Sequence, residues 1–344
     1  MNLRILFFAA LCCFLQVSFS QTPRFIDTQV QFEPSDRDHS GSVRVMKQMM
    51  DRHGIRQMLI VPPPFPAENA WSYDSEKVKA AIGKQTDRFA FLGGGGSLNV
   101  MVLQTPADQV TAEIKAKFRA RAEAILAQGA IGFGEVTAEH LSLPVMKQEG
   151  LKHFHNVTTA DHPLLLLLAD IAAENDVPID FHFDIFPATL PTPPNLRDGN
   201  PPELRENKIA FERLLRHNRK ARFTWAHLGS DPGMQRTPAL MKELLDAHPN
   251  LYSAFRIFFQ GPAEMTPIDA SGSLKPQWLE LIQRYPDRFT VHTDTFYAST
   301  WPPRRGPKDG NEKIVNFLSQ LSPALAGKLA YENAQRFYKL KLAD

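Results

Sequence analysis

The sequence predicts an α/β protein, a single (β/α)8 TIM barrel, from three observations. Short segments rich in Val, Ile, Leu and Phe alternate with longer amphipathic segments, as expected for parallel strands joined by helices. Eight such pairs can be counted, the number that closes a barrel. No repeat, linker or low-complexity stretch divides the 344 residues, of which 43% are hydrophobic. A chain of this length therefore forms one barrel domain.

The predicted strands are short apolar runs that end in polar residues or turns. In the first of them, Gln29 and Gln31 lie two residues apart and project from the same face. In chain order the predicted strands are 25–32, 56–61, 89–92, 130–136, 177–184, 222–227, 251–256 and 288–295.

Between the strands, apolar residues recur at helical spacing. One such stripe consists of Val110, Ile114, Phe118 and Ile125. A leucine-rich helix is predicted to begin at Pro163, with Asp161 as its N-cap. The predicted helices other than the one with that stripe are 43–52, 74–83, 163–174, 203–217, 239–248, 278–285, 312–321 and 323–340.

The first twenty residues have the layout of a secretory signal peptide. Arg4 precedes an apolar run, 5–15, and small residues lead to an expected cleavage site after Ser20. The run is too short to span a bilayer. We therefore expect an exported protein, periplasmic or secreted, whose barrel domain comprises 21–344 and keeps no membrane anchor after cleavage.

Cysteine and charge content narrow the chemistry. Both cysteines, Cys12 and Cys13, fall within the signal segment, so the mature chain has no disulfide, no cysteine nucleophile and no thiolate metal ligand. A formal net charge of +2 argues against nucleic acid or an anionic membrane surface as a partner. A small-molecule substrate is the expected partner, and the sequence leaves homo-oligomer formation open.

Polar side chains end most of the predicted strands, at the end where barrel active sites lie. Taken alone, each of them is more often a hydrogen-bonded core residue or a helix cap. Their occurrence at the same end of six strands instead predicts a shared site. These residues are Gln29, Gln31, Glu135, His182, His227, Arg256 and Asp294.

Four segments carry a resemblance to a known family: 177–182 (VPIDFH), 223–227 (FTWAH), 285–294 (YPDRFTVHTD) and 332–337 (ENAQRF). Because of the order and spacing of these segments, the chain resembles the amidohydrolase superfamily, specifically its amidohydrolase-related branch. The resemblance implies that the histidines at the ends of the fifth and sixth strands bind a metal ion. It also implies that Asp294 transfers the proton of a metal-bound water.

The first and fourth strands depart from the common pattern of that superfamily. Gln29 and Gln31 replace its first-strand His-x-His pair, and Glu135 stands where some members have a metal-bridging carbamylated lysine. The resulting ligand set resembles that of bacterial N-acetylglucosamine-6-phosphate deacetylases, which hold one metal. It implies one divalent ion, zinc by default, on Glu135, His182 and His227.

The glutamines, Arg256 and Tyr297 are then expected to position substrate or water. The glutamines in particular would hydrogen-bond the water or Asp294. In the alternative, Glu135 forms an ion pair with Arg256 and the histidines are core residues.

Three functions follow from these residues. The first is an exported metal-dependent hydrolase of a small amide, ester or lactone, in which Asp294 acts as general base and then acid. The second is a metal-dependent decarboxylase on the same barrel. The third is a metal-free binding barrel that has lost catalysis, for which the replacement of the histidine pair by Gln29 and Gln31 is the main support.

Overall fold

The computed structural model describes residues 24–144, 154–300 and 309–341. The expected signal peptide lies outside these ranges. Eight parallel strands form the centre of the fold, and we number them one to eight along the chain. They are Phe25–Phe32, Ile55–Ile60, Phe89–Phe91 with Gly93–Gly94, Phe133–Thr137, Pro178–His182, Arg222–Leu228, Leu251–Phe255, and Phe289–Val291 with Thr295–Tyr297.

Strands three and eight each consist of two short pieces, and these pieces join the two halves of the sheet. The first piece of strand three pairs with strand two and its second piece with strand four. The first piece of strand eight pairs with strand seven and its second piece with strand one. Pairing therefore runs through all eight strands and returns to the first, which confirms the predicted barrel.

The helices follow the strands at positions close to those predicted. They are His39–His53, Ser75–Ile82, Leu98–Gln104, Ala112–Ala127, Pro163–Asn175, Lys208–His217, Pro238–Ala247, Pro276–Arg284, Gly310–Ser319, Pro323–Gly327 and Asn333–Tyr338. Local chemistry explains where several of them begin. Thr237, for example, accepts a hydrogen bond from the Leu240 N–H, and Pro238 occupies the first turn.

Several helix predictions need correction. His162, not Asp161, caps the leucine-rich helix, because its ring accepts the Leu164 N–H. The helix predicted over 203–217 begins at Lys208, since Glu203–Leu204 instead pairs with Leu190–Pro191 in a short hairpin. The helix predicted over 323–340 is interrupted by a π-helical turn at Lys328–Glu332. The short helix Leu98–Gln104 was not predicted.

The C-terminal helix closes one end of the barrel. Phe337 and Tyr338 pack in a buried apolar cluster with residues of strands one and two, Ile26 and Leu59 among them. The Asn333 amide donates to the Phe289 carbonyl at the start of strand eight. Ile26 and Phe289 lie near the N-terminal ends of strands one and eight, so the C-terminal helix packs at that end and the opposite end is left for the site. No helix among the described residues is long and apolar enough to cross a membrane.

Candidate metal centre

Strands four, five and six bring three potential metal ligands together. Oε1 of Glu135 lies 2.8 Å from Nδ1 of His182 and 2.9 Å from Nε2 of His227. The three ligand atoms lie within 4.8 Å of one another. Across residues 24–144, 154–300 and 309–341 this is the only such group of three or more His, Cys, Asp or Glu side chains. The predicted ligand set is thus assembled at the C-terminal end of the barrel.

The two glutamines of strand one hold the other oxygen of the same carboxylate. Nε2 of Gln29 donates to Oε2 of Glu135 at 2.9 Å, and Nε2 of Gln31 donates to it at 3.0 Å. Gln31 also donates to Oδ1 of Asp294 at 3.2 Å. The expected contact with Asp294 is therefore made by Gln31. Orientation of Glu135 by both amides was not foreseen.

His227 reaches the centre through an unusual backbone conformation. Its φ is 64°, in the left-handed region that non-glycine residues seldom adopt. The pairing register between strands six and seven shifts at the same place. An irregularity of this kind re-aims a side chain relative to the regular alternation. The backbone N–H of His227 donates to Nε2 of His292, and the two rings stack with centroids 5.0 Å apart.

Burial and hydrogen bonding set the charges of the centre. Burial would raise the pKa of Glu135, but hydrogen bonds and charge from the two histidines outweigh it, so its pKa lies below the ordinary value and the carboxylate is ionised. Burial lowers the pKa of His227. For His182 burial acts in the same direction, but the hydrogen bond that its ring donates to Glu135 leaves its pKa raised. Burial also raises the pKa of Asp180, one layer deeper in strand five.

Asp294 lies beside the three ligands, between an amide and a guanidinium. Its φ is 53°, so a second left-handed residue occurs at the site. Oδ2 of Asp294 is 3.9 Å from Nδ1 of His227 and 3.2 Å from Nη2 of Arg256. Arg256 thus pairs with Asp294. The alternative in which Arg256 pairs with Glu135 is wrong.

Tyr297 does not lie at the site. The expectation that it positions substrate fails because its side chain is fully buried in the main apolar core. Its ring hydroxyl interacts with Asn311 of the helix Gly310–Ser319. The sequence predicted one unbroken strand from 288 to 295, whereas the strand breaks between Val291 and Thr295.

Sequence reasoning missed two histidines next to the ligands. His292 stacks on His227. It precedes Asp294 by two residues, and that spacing could have indicated from the sequence that His292 lies on the same face of the strand. His140 follows strand four, and its ring centroid is 4.6 Å from that of His182. Loop conformation, which the sequence does not specify, determines that second contact.

The donor set fits a divalent metal ion. One carboxylate oxygen and two imidazole nitrogens are ligands that zinc and similar ions accept. The carboxylate is oriented by two amides, as outer-shell partners orient ligands in metal sites. Nδ1 of His227 is buried without a hydrogen-bond partner among the described residues, and Oδ2 of Asp294 lies 3.9 Å from it. The His182 side chain is 17% exposed, which leaves the centre open on that side.

No family model matches the sequence, and no curated protein matches it. Several solved structures match in fold. An amidohydrolase II structure has a TM-score of 0.54 and 12% identity, over 92% of this chain and 99% of that one. A dihydroxybenzoic acid decarboxylase from Polaromonas sp. JS666, with bound manganese and the inhibitor 2-nitroresorcinol, has a TM-score of 0.53 and 17% identity, over 93% and 98%.

A 2,6-dihydroxybenzoate decarboxylase from Rhizobium has a TM-score of 0.51 and 15% identity, over 92% of this chain and 99% of that one. Identities this low establish the fold alone. The expected barrel fold is confirmed, and the chain shares it with an amidohydrolase II structure and two dihydroxybenzoate decarboxylases.

Proposed function

We propose that this protein is an exported metal-dependent hydrolase that acts on a small amide, ester or lactone. One observation carries the proposal: Glu135, His182 and His227 converge beside the carboxylate of Asp294. The fold similarity to amidohydrolase II supports it. Export rests on the pattern of the first twenty residues.

Glu135, His182 and His227 would hold one divalent ion, with zinc or manganese as candidates. When bound, such an ion supplies a Lewis acid that polarises a carbonyl and lowers the pKa of a water molecule. The buried amides of Gln29 and Gln31 donate to Glu135 and so keep its carboxylate oriented for metal binding. Because these donors are fixed before substrate arrives, little reorganisation accompanies binding.

Asp294 is the group placed to move a proton. Gln31 fixes one of its oxygens, while the other faces the centre near His227 and Arg256. In hydrolysis this carboxylate takes a proton from the attacking water and then donates it to the leaving nitrogen or oxygen. The C–N or C–O bond breaks, and the products are a carboxylic acid and an amine or alcohol; a lactone opens to a single hydroxy acid.

A decarboxylase is the second candidate, because two structures with this fold are dihydroxybenzoate decarboxylases. In that reaction the protonated form of Asp294 would deliver its proton to the carbon that loses carbon dioxide. The carbon–carbon electron pair remains on that carbon and accepts the proton. The two candidates thus use the same residue in opposite initial protonation states.

The test compares wild type with Asp294→Asn, both loaded with zinc or manganese, on a panel of esters, lactones, amides and aromatic carboxylates. A general acid–base contributes about 10²–10⁴-fold, so the variant should lose at least about 100-fold in rate while retaining its metal. Asp287→Asn is the matched control, since Asp287 pairs with Lys328 at the surface. Full activity in Asp294→Asn contradicts the proposal, and carbon dioxide release by wild type selects the decarboxylase.

A further inference from the structure

Arg256 differs in its hydrogen bonding from three other buried or half-buried arginines, Arg222, Arg236 and Arg288. Arg222 donates to the Phe337 carbonyl at 2.6 Å, and Arg288 donates through Nε to the Leu251 carbonyl at 2.8 Å. Arg236 likewise donates to the Ala226 carbonyl. The Arg256 guanidinium has no hydrogen bond to any described residue, and its Nε is buried without a partner. A guanidinium carries five N–H donors, so this one has unused capacity.

The ion pair with Asp294 does not use that capacity. It joins a single nitrogen, Nη2, to Oδ2 at 3.2 Å. The other oxygen of Asp294 already accepts from Gln31, and the Asp294 backbone N–H donates to the Gln29 carbonyl. Asp294 is therefore fixed by strand one, and Arg256 is not needed to place it.

The surroundings of Arg256 favour a planar anion. Its Cζ lies 4.8 Å from the centroid of the Phe258 ring, so an aromatic side chain covers the guanidinium. The Arg256 side chain is 19% exposed, and its Nη2 lies 3.2 Å from Oδ2 of Asp294, which is beside the metal centre. A guanidinium edge matches a carboxylate in geometry, through two parallel N–H···O bonds.

The net charge of the site with a metal ion bound also favours an anionic substrate. Glu135 and Asp294 contribute two negative charges, and Arg256 contributes one positive charge. A divalent ion would bring the total to one net positive charge. A substrate that carries one negative charge neutralises it, whereas an uncharged substrate leaves one net positive charge in the site and most N–H donors of Arg256 without an acceptor, which is costly.

We propose that Arg256 binds a carboxylate group of the substrate. This inference rests on the proposed function and narrows it: the amide, ester or lactone also bears a carboxylate away from the reacting carbonyl. Arg256 then determines specificity and orientation, while Asp294 transfers the proton.

The test measures binding rather than turnover. Zinc-loaded wild type is titrated calorimetrically with acetate and benzoate, with their uncharged counterparts acetamide and benzamide, and with inorganic phosphate. Wild type should bind at least one carboxylate at least about tenfold more tightly than its amide, because a charge-assisted bidentate contact is stronger than a contact between neutral groups. Arg256→Gln should abolish this preference without changing amide binding or zinc content. Arg256→Lys should restore part of it.

Arg284→Gln is the matched control, because Arg284 also pairs with an aspartate, Asp246, and lies over an aromatic ring, but at the surface. It should bind as wild type does. Equal weakening of carboxylate and amide in Arg256→Gln would overturn the proposal, since Arg256 would then act only through Asp294. An unchanged carboxylate preference, no preference in wild type, or an Arg256-dependent preference for inorganic phosphate alone would overturn it too. Failure of the hydrolase proposal is separate, because it appears as full activity in Asp294→Asn or as carbon dioxide release by wild type.

Discussion

Glu135→Gln should remove the stabilisation of this protein by metal while leaving the fold intact. Glutamine has nearly the same shape and can satisfy all four neighbours of the carboxylate. Its oxygen can accept from Gln29 and Gln31, and its NH2 can donate to His182 and His227, in the places where Glu135 now makes those contacts. What is lost is the negative charge that a divalent ion requires.

The expected magnitude follows from linkage. Metal at 100 times its Kd stabilises the folded state by about 2.7 kcal/mol. With an unfolding entropy of about 2.1 cal/mol/K per residue, a chain of this length should gain about 4 °C in Tm. If the substitution weakens binding by about 100-fold, the same metal concentration leaves only about 0.4 kcal/mol, or less than about 1 °C.

The assay is thermal unfolding with and without zinc or manganese. Glu212→Gln is the control, because Glu212 also lies beside a buried histidine, with Oε1 3.2 Å from Nε2 of His248, but has no third ligand nearby. The control should show the wild-type shift. A wild-type-sized shift in Glu135→Gln would refute the assignment of this carboxylate as a ligand.

Two further predictions concern strand one. Gln31→Leu should weaken metal binding about 10–100-fold, because Gln31 orients both Glu135 and Asp294. The loss should exceed that of Gln29→Leu. Calorimetric titration with metal measures both affinities, and equal affinities in the two variants would contradict the prediction. Asp27→Asn should flatten the pH dependence of stability, because burial raises the pKa of Asp27 from 3.8 to about 7 despite hydrogen bonds from Thr293. The cost of ionising it is absent below about pH 4 and complete above about pH 7, on the order of 4 kcal/mol. Urea unfolding at both ends of that pH window should show that the free energy of unfolding of the variant rises relative to that of wild type as pH rises. The same pH dependence in both proteins would contradict the prediction.

The strands and the ligand set could be predicted because both depend on short-range patterns. Strand one is 25–32 in both the prediction and the structure, since alternation over eight residues fixes its length and its faces. Glu135, His182 and His227 end apolar runs, and the ends of parallel barrel strands converge. Topology therefore brings the three residues to one end of the barrel, and the left-handed conformation of His227 completes their arrangement.

Details that depend on backbone irregularity could not be predicted. Strand eight breaks between Val291 and Thr295, and the sequence did not show that Tyr297, which follows the predicted strand, would be buried in the core. The left-handed conformation of His227 has no signal in the sequence. The cap of the leucine-rich helix shifted by one residue because the His162 ring can serve as acceptor, although aspartate is the commoner cap.

The central claim is that three side chains at the end of the barrel hold one metal ion. Elemental mass spectrometry of protein purified without chelator tests it most directly, beside the His182→Ala/His227→Ala double variant. The account predicts about one zinc or manganese per wild-type chain and none in the variant. Wild type without metal, even after dialysis against excess zinc and manganese, would contradict it and favour a metal-free binding barrel.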